Sequence, residues 1–369
     1  MTWLGVLPGG SLSRANAVSA DGTVVVGISS SASGTRAFRW TRETGMVDLG
    51  SGEALGVSAD GNVVVGYAYD SNNREFAFRW TPETGVQRLV SGSGQSVASG
   101  VSADGSSAVG WAMGLGVFLW TPDTGAVPLG LQTNPANAFN IGISADGSTI
   151  VGSIMEDGVH RAARWTRESG LEVFDTLGGW QNHAFACSAD GSVVVGRIQD
   201  QSYWWQAFRW TRETGLVGLG TLGGNTSTAF SVSGDGAVVV GIAETSARLS
   251  LAFRWTPPRG MENLNITYAG LLTGASLLTS ARAVSPDGRY IVGVGFNTET
   301  GRQEAFLLDT GFPSRGDVNR DGCVDDADLM AVLFAFGERG YRNADIDWNG
   351  VIGDGDLLQV LFHFGNGCE

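Results

Sequence analysis

The chain has no lysine: all 23 of its basic residues are arginine, against 37 acidic ones, for a net charge of -14 over 369 residues. The missing lysine reads as a compositional bias. The missing basic excess excludes nucleic acid as a natural partner, because there is no positive surplus to displace counterions. No stretch is apolar for long enough to span a membrane, and no charged n-region leads into an apolar h-region at the N-terminus. Taken alone, that pattern describes a cytoplasmic chain; the features below point instead to secretion, with a leader already removed or a start codon wrongly assigned. Cysteine is scarce, at three residues. Cys187 stands where other copies of its motif carry valine, so it reads as a buried thiol acting as a small hydrophobe. No recurring histidine and acid accompany it as partners of a nucleophile.

Glycine, by contrast, is abundant, at 56 residues, and much of it is periodic. A Ser-x-Asp-Gly turn recurs with its aspartate at Asp21, Asp60, Asp104, Asp146, Asp190, Asp235 and Asp287, at intervals of 39 to 52 residues. Repetition at that period marks a stacked or circular architecture. Asp-Gly between short Val- and Ala-rich runs is a hairpin signal, since glycine supplies the positive φ of a tight turn. Thr41-Arg42-Glu43-Thr44-Gly45 reads as a second turn. Each unit thus translates into four strands, in the first copy 15–19, 23–28, 36–41 and 46–50. Val24, Val25 and Val26 are apolar in succession, which suits a strand covered on both faces. Four-stranded sheets sandwiched between their neighbours are the blades of a β-propeller.

The seventh unit lacks a fourth strand. Thr2-Trp3-Leu4-Gly5-Val6-Leu7 matches the fourth strands of the other units and precedes the first unit, so it is expected to complete the last blade and remove two open sheet edges. The fold class expected is therefore mainly β: a seven-bladed β-propeller over 1–312 closed by its N-terminal strand, followed by a small α-helical module over 313–369.

The alternation of Ala-Phe-Arg-Trp-Thr, Leu-Gly-Gly and Ser-Ala-Asp-Gly-x-Val-Val-Val-Gly, with one literal His183-Ala184-Phe185, resembles the HAF family of extracellular repeats. The resemblance covers about residues 2–309 and implies an extracellular, propeller-like protein of unassigned activity. The repeated pairs Phe38/Trp40, Phe78/Trp80, Phe118/Trp120, Phe208/Trp210 and Phe253/Trp255 lie two apart and share a face, as core residues do. Between them, Arg39, Arg79, Arg164, Arg209 and Arg254 point the other way and need partners; hydrogen bonds to neighbouring strands are expected.

Function in a ring of repeats belongs where the units differ. Unit five is entered through Trp180 and His183, and carries Tyr203, Trp204 and Trp205 between its second and third strands. On a propeller these loops emerge on one face, where aromatic rings with amides suit a sugar or peptide ligand.

After Phe312-Pro313 the composition changes. Asp317, Asn319, Asp321, Cys323 (by its carbonyl), Asp325 and Asp328 fit a twelve-residue calcium loop with Gly322 at the sharp turn. A second copy follows, with Asp345, Asp347, Asn349, the Val351 carbonyl and Asp356, Gly350 at the turn and Gly353 at position nine implying a water ligand. Each loop leads into an apolar stripe: Leu329, Val332, Leu333 and Phe336, then Leu357, Val360, Leu361 and Phe364. Two half EF-hands of this kind resemble a type I dockerin over 316–367. That resemblance implies two calcium ions, docking to a cohesin-like or other surface protein, and a partner-reading role for Asp326, Ala327, Asp354 and Gly355, which depart from the frequent Ser-Thr pairs. The pseudo-two-fold pairing of such helices brings Cys323 and Cys368 within reach of a disulfide, which requires an oxidising compartment.

The expectation is a secreted, non-catalytic binding or scaffold protein with calcium as cofactor. The alternative is a polysaccharide-degrading hydrolase or lyase, which needs two facing carboxylates. The unrepeated loop acids Asp70, Glu156, Asp157, Asp200 and Glu244 are its candidates.

Overall fold

The computed structural model describes residues 1–92, 94–131, 133, 140–176 and 179–368. The repeat's chemistry explains its local structure. In the first unit the Ser19 hydroxyl donates to Asp21 Oδ1 (2.8 Å) and accepts the Val24 N–H (2.9 Å), while Asp21 Oδ1 accepts the Thr23 N–H. Gly22 supplies φ 72°. One serine and one aspartate thereby satisfy the backbone of the turn. The same bonds recur at Ser58/Asp60, Ser102/Asp104, Ser144/Asp146, Ser188/Asp190 and Ser233/Asp235.

Among the described residues the strands form five four-stranded sheets and one seven-stranded sheet, in a β-propeller arrangement. Five free-standing blades thus replace the seven expected. The difference lies in the 13-residue strand Gly45–Val57, which pairs with Gly34–Thr41 along its first half and with Val64–Tyr69 along its second. The interval from Asp21 to Asp60 is the shortest in the chain, so no residues are left for a separate connection between the first two units. The N-terminal strand Thr2–Trp3 pairs antiparallel with Arg302–Asp309, Trp3 opposite Phe306, so the last sheet has the order first strand, then 302–309, 290–297 and 277–284.

The core sits between sheets. Phe38, Phe78, Phe118, Phe208, Phe253 and Phe306 are all essentially inaccessible. The first unit packs its Val25, Phe38 and Trp40 against Val292, Ala305 and Leu307 of the last, so the ring closes by packing as well as by pairing. The repeated arginines latch one unit to the next. Arg39, Arg164 and Arg209 donate from Nε, and Arg79 from Nη2, to the carbonyls of Gly61, Gly191, Gly236 and Gly105, each the turn glycine of the following unit, at 2.8–3.4 Å. Arg254 turns instead to the Tyr268 hydroxyl (2.7 Å), on the longest insertion.

Around the axis, the residue before each turn aspartate bonds its neighbour. Ala20 N–H donates to Ala59 O, and the relay continues through Ala103, Ala145, Ala189 and Gly234 to Pro286 O, each bond 2.8–3.0 Å. Proline has no N–H to hand on. At that seam Arg315 reaches the Asp21 carbonyl at 3.1 Å.

The C-terminal segment has two helices, Asp326–Phe334 and Asp354–His363, over a small core of Val318, Val324, Val332, Ala344, Ile352 and Val360. The expected stripes are buried only in part. Val332 and Val360 are inaccessible, but Leu333, Phe336, Leu361 and Phe364 stand 45–49% exposed, joined by Phe334 (84%) and Phe362 (79%). Cys323 and Cys368 are disulfide-bonded. No helix among the described residues is long and apolar enough to cross a membrane.

Candidate functional site

Two places concentrate chemistry. The first is the pair of acidic loops. Asp345, Asp347 and Asp356 bring carboxylate oxygens within 4.8 Å of one another. Asp356 is fully buried; its Oδ1 accepts the Ile346 and Asp347 N–H groups and its Oδ2 that of Gly353. Asp328 repeats these contacts in the first loop, to Val318, Asn319 and Asp325. Side-chain oxygens of Asn319, Asp321, Asp347 and Asn349 cap successive backbone N–H groups, which curls each loop around its own acids. Asp317 Oδ1 is buried without a donor among the described residues. Burial, with the Asp356 and Asp347 charges, pushes Asp345 up to about 7, and burial raises Asp317 as well. All-oxygen donor sets, with crowded carboxylates in the second loop and a buried Asp317 Oδ1 lacking a donor in the first, fit a hard cation such as calcium. The four candidate docking residues, Asp326, Ala327, Asp354 and Gly355, are exposed in the first turns of the helices.

The second place is the ring mouth at the face opposite the Asp-Gly turns. The five aromatic and histidine candidates there divide into two groups. Trp180 and Tyr203 stack at 5.2 Å and are more than half exposed, with Trp204 exposed beside them in sequence. His183 is 4% exposed, its Nδ1 3.0 Å from the Ser153 hydroxyl and its ring 5.0 Å from His160 and 5.2 Å from Trp205. Burial, then Arg197 and His160, pushes its pKa down to about 3, so it is a neutral ring packed inside the mouth and not a rim ligand.

Residues that escaped the sequence reading complete this cluster. Arg197 lies over Trp205 (4.1 Å) and Phe185 (5.7 Å); Phe185 stacks on Phe230 (6.1 Å); Arg282 lies over Phe230 (4.4 Å). The Nε atoms of Arg197 and Arg282 are buried with no hydrogen-bond partner among the described residues. Arg14, Asn16 and Tyr67 all converge on Glu53, which leaves that carboxylate committed. A signal for these residues does exist. Asn16, Leu55, Ser99, Ile141, Phe185, Phe230 and Arg282 occupy one position of the repeat, and they differ in every unit but two while the serine and aspartate beyond them do not change.

Three of the unrepeated acids, Asp70, Asp200 and Glu244, build their own loops. Asp70 accepts the N–H groups of Asn72 and Arg74, Asp200 those of Ser202 and Trp204, and Glu244 that of Asn225 with Arg248 alongside.

No protein-family model and no curated protein matches the chain. Among solved structures, it is similar to TolB of Acinetobacter baumannii (13% identity, 74% of this chain and 76% of that one, TM-score 0.47). A putative TolB of Agrobacterium tumefaciens gives 13% identity, 81% and 90% coverage and TM-score 0.42. Hydrazine synthase of Kuenenia stuttgartiensis gives 14%, 82% and 96%, and 0.49.

Proposed function

We propose that the protein is a secreted, non-catalytic binding or scaffold protein. Its seven repeat units form one closed ring, the first two sharing the strand Gly45–Val57, and the ring binds a glycan or protein ligand at its open mouth. Its C-terminal segment, 313–369, is a dockerin-like module that holds two calcium ions and docks to a cohesin-like or other surface partner. The observation that carries this reading is the tandem of acidic loops, each with its position-twelve aspartate buried against the loop's own N–H groups. The Cys323–Cys368 bond supports an oxidising location.

At the mouth, a largely buried guanidinium with an unsatisfied Nε is costly unless a ligand supplies acceptors. Arg197 and Arg282, set among Trp205, Phe185 and Phe230, favour a ligand that offers flat apolar faces together with carboxylate or hydroxyl oxygens. Calorimetry of calcium binding to the full chain tests the module. A panel of neutral and uronic-acid oligosaccharides, read by shifts in melting temperature, tests the mouth. Absence of calcium uptake would sink the first half, and an unmoved melting temperature across the panel would remove glycans from the second.

A further inference from the structure

Both acidic loops turn one residue toward the ring. Arg320 and Trp348, each fourth in its loop, have positive φ, 62° and 57°. Arg320 forms an ion pair with Asp235, the turn aspartate of the sixth unit, and donates to Asn343 at 3.2 Å. Trp348 lies at the ring axis, 4% exposed, packed on Ala20 and Ala189 with Ala59 and Ala145 beside them. Tyr341 stacks on its outer side, 6.1 Å away and within 9° of parallel. The socket depends on one departure from the repeat: Gly234 replaces the usual alanine, and a Cβ there would stand 2.2 Å from the indole Cη2. Beneath the indole is a cavity of about 150 Å³ on the axis, lined by Val18, Val101, Ile143 and Cys187 among others.

The backbone immediately after Trp348 is held by carboxylates of the acidic cluster. Asn349 N–H donates to Asp345 Oδ1 and Asp347 Oδ1, both 3.1 Å, and Gly350 N–H to Asp345 Oδ2, 3.0 Å. A cation drawing Asp345, Asp347 and Asn349 together fixes the left-handed turn at Trp348. Without it, the clustered carboxylates repel and loosen that turn.

We propose that the module's first partner is this chain's own ring: calcium in the second loop seats Trp348 in the axial socket and closes the channel on the turn face. The proposal rests on the calcium reading above. By linkage, seating the indole also tightens calcium binding, because each event selects the same loop conformation. The outward helix faces, with their exposed phenylalanines, stay free while the ring is plugged.

Cys187, a free thiol lining the cavity under Trp348, provides the readout. Its labelling by a small alkylating probe is followed in the full chain, in calcium and in chelator, with calcium uptake measured separately by calorimetry. Access from the opposite mouth is common to all arms. Expected is labelling at least tenfold faster in chelator for the wild type, and fast labelling in both conditions for Trp348→Ala. Gly234→Ala, which keeps the tryptophan but fills its socket, should behave like Trp348→Ala and bind calcium more weakly. Calcium uptake with equal labelling rates in both conditions overturns the coupling alone. No uptake overturns the calcium reading and the coupling with it.

Discussion

Arg164 of the fourth unit donates from Nε to the carbonyl of Gly191, the turn glycine of the fifth, at 2.8 Å. Arginine suits this place because its stem packs along the sheet while the guanidinium reaches across to the next unit. Where the third unit carries Leu119 and the seventh Leu307 in the same position, Leu307 is nearly inaccessible and packs into the seam with the first unit. The position therefore joins neighbouring units either by a hydrogen bond or by apolar packing.

Replacing Arg209 by glutamine should remove one such latch, leave the Gly236 carbonyl unpaired and cost about 1–2 kcal/mol. Urea denaturation measures it. A change within a few tenths of a kcal/mol would show that the latch is ornamental.

His183 predicts a pH dependence. Its folded-state pKa of about 3 lies well below the ordinary 6.5, so the native state excludes a proton that the unfolded chain accepts. Stability should therefore be fully present above about pH 6.5 and should fall as pH drops toward 3, by at most about 1.4 kcal/mol per pH unit from this group. His183→Gln should flatten that slope between pH 6 and 4, as read from melting temperatures. An equal slope in the variant would mean that the ring is solvated in the native state.

Four of the turn aspartates act in the same direction at lower pH. Despite burial, bonds from Ser58 and Asn62 hold Asp60 below the usual carboxylate range, and the partners of Asp104, Asp146 and Asp190 do the same. A group depressed in the fold stabilises it above the unfolded pKa and loses that contribution as pH falls through the folded value. Asp60→Asn should therefore be less stable than wild type at neutral pH, with the difference narrowing below about pH 4, as read from melting temperatures across that range.

Arg282 sets stability against binding. Burial and the neighbouring Arg14 charge pull its pKa down to about 10, and its Nε has no acceptor. Arg282→Met should stabilise the ligand-free ring by about 1 kcal/mol or leave it unchanged, since a desolvated guanidinium with an unsatisfied Nε is replaced by apolar volume. The same change should weaken ligand binding at the mouth at least tenfold. A variant that loses stability and keeps affinity would assign Arg282 to structure.

In the second loop, Asp356→Asn should lower calcium affinity by at least a factor of ten, measured by calorimetry, and depress the melting of the C-terminal helices. An unchanged affinity would place the cation elsewhere.

Much of this architecture is legible in the residues because each repeat solves its backbone problem locally. Serine, aspartate and glycine within four positions close a turn wherever they occur, and a phenylalanine two residues before a tryptophan marks the buried face. The acidic loops are local in the same way: twelve consecutive residues carry their own donors and their own turn. Only the tertiary structure decided that the first two units share one continuous strand, that His183 lies inside the mouth while Trp180 and Tyr203 stay outside, and that Trp348 finds its socket where Gly234 omits a methyl group. The first follows the shortest interval of the repeat but needs the pairing on both sides to show it, and the other two depend on residues tens to more than a hundred positions apart meeting at the axis or at the mouth. No local pattern encodes which side chains a closing ring will bring together.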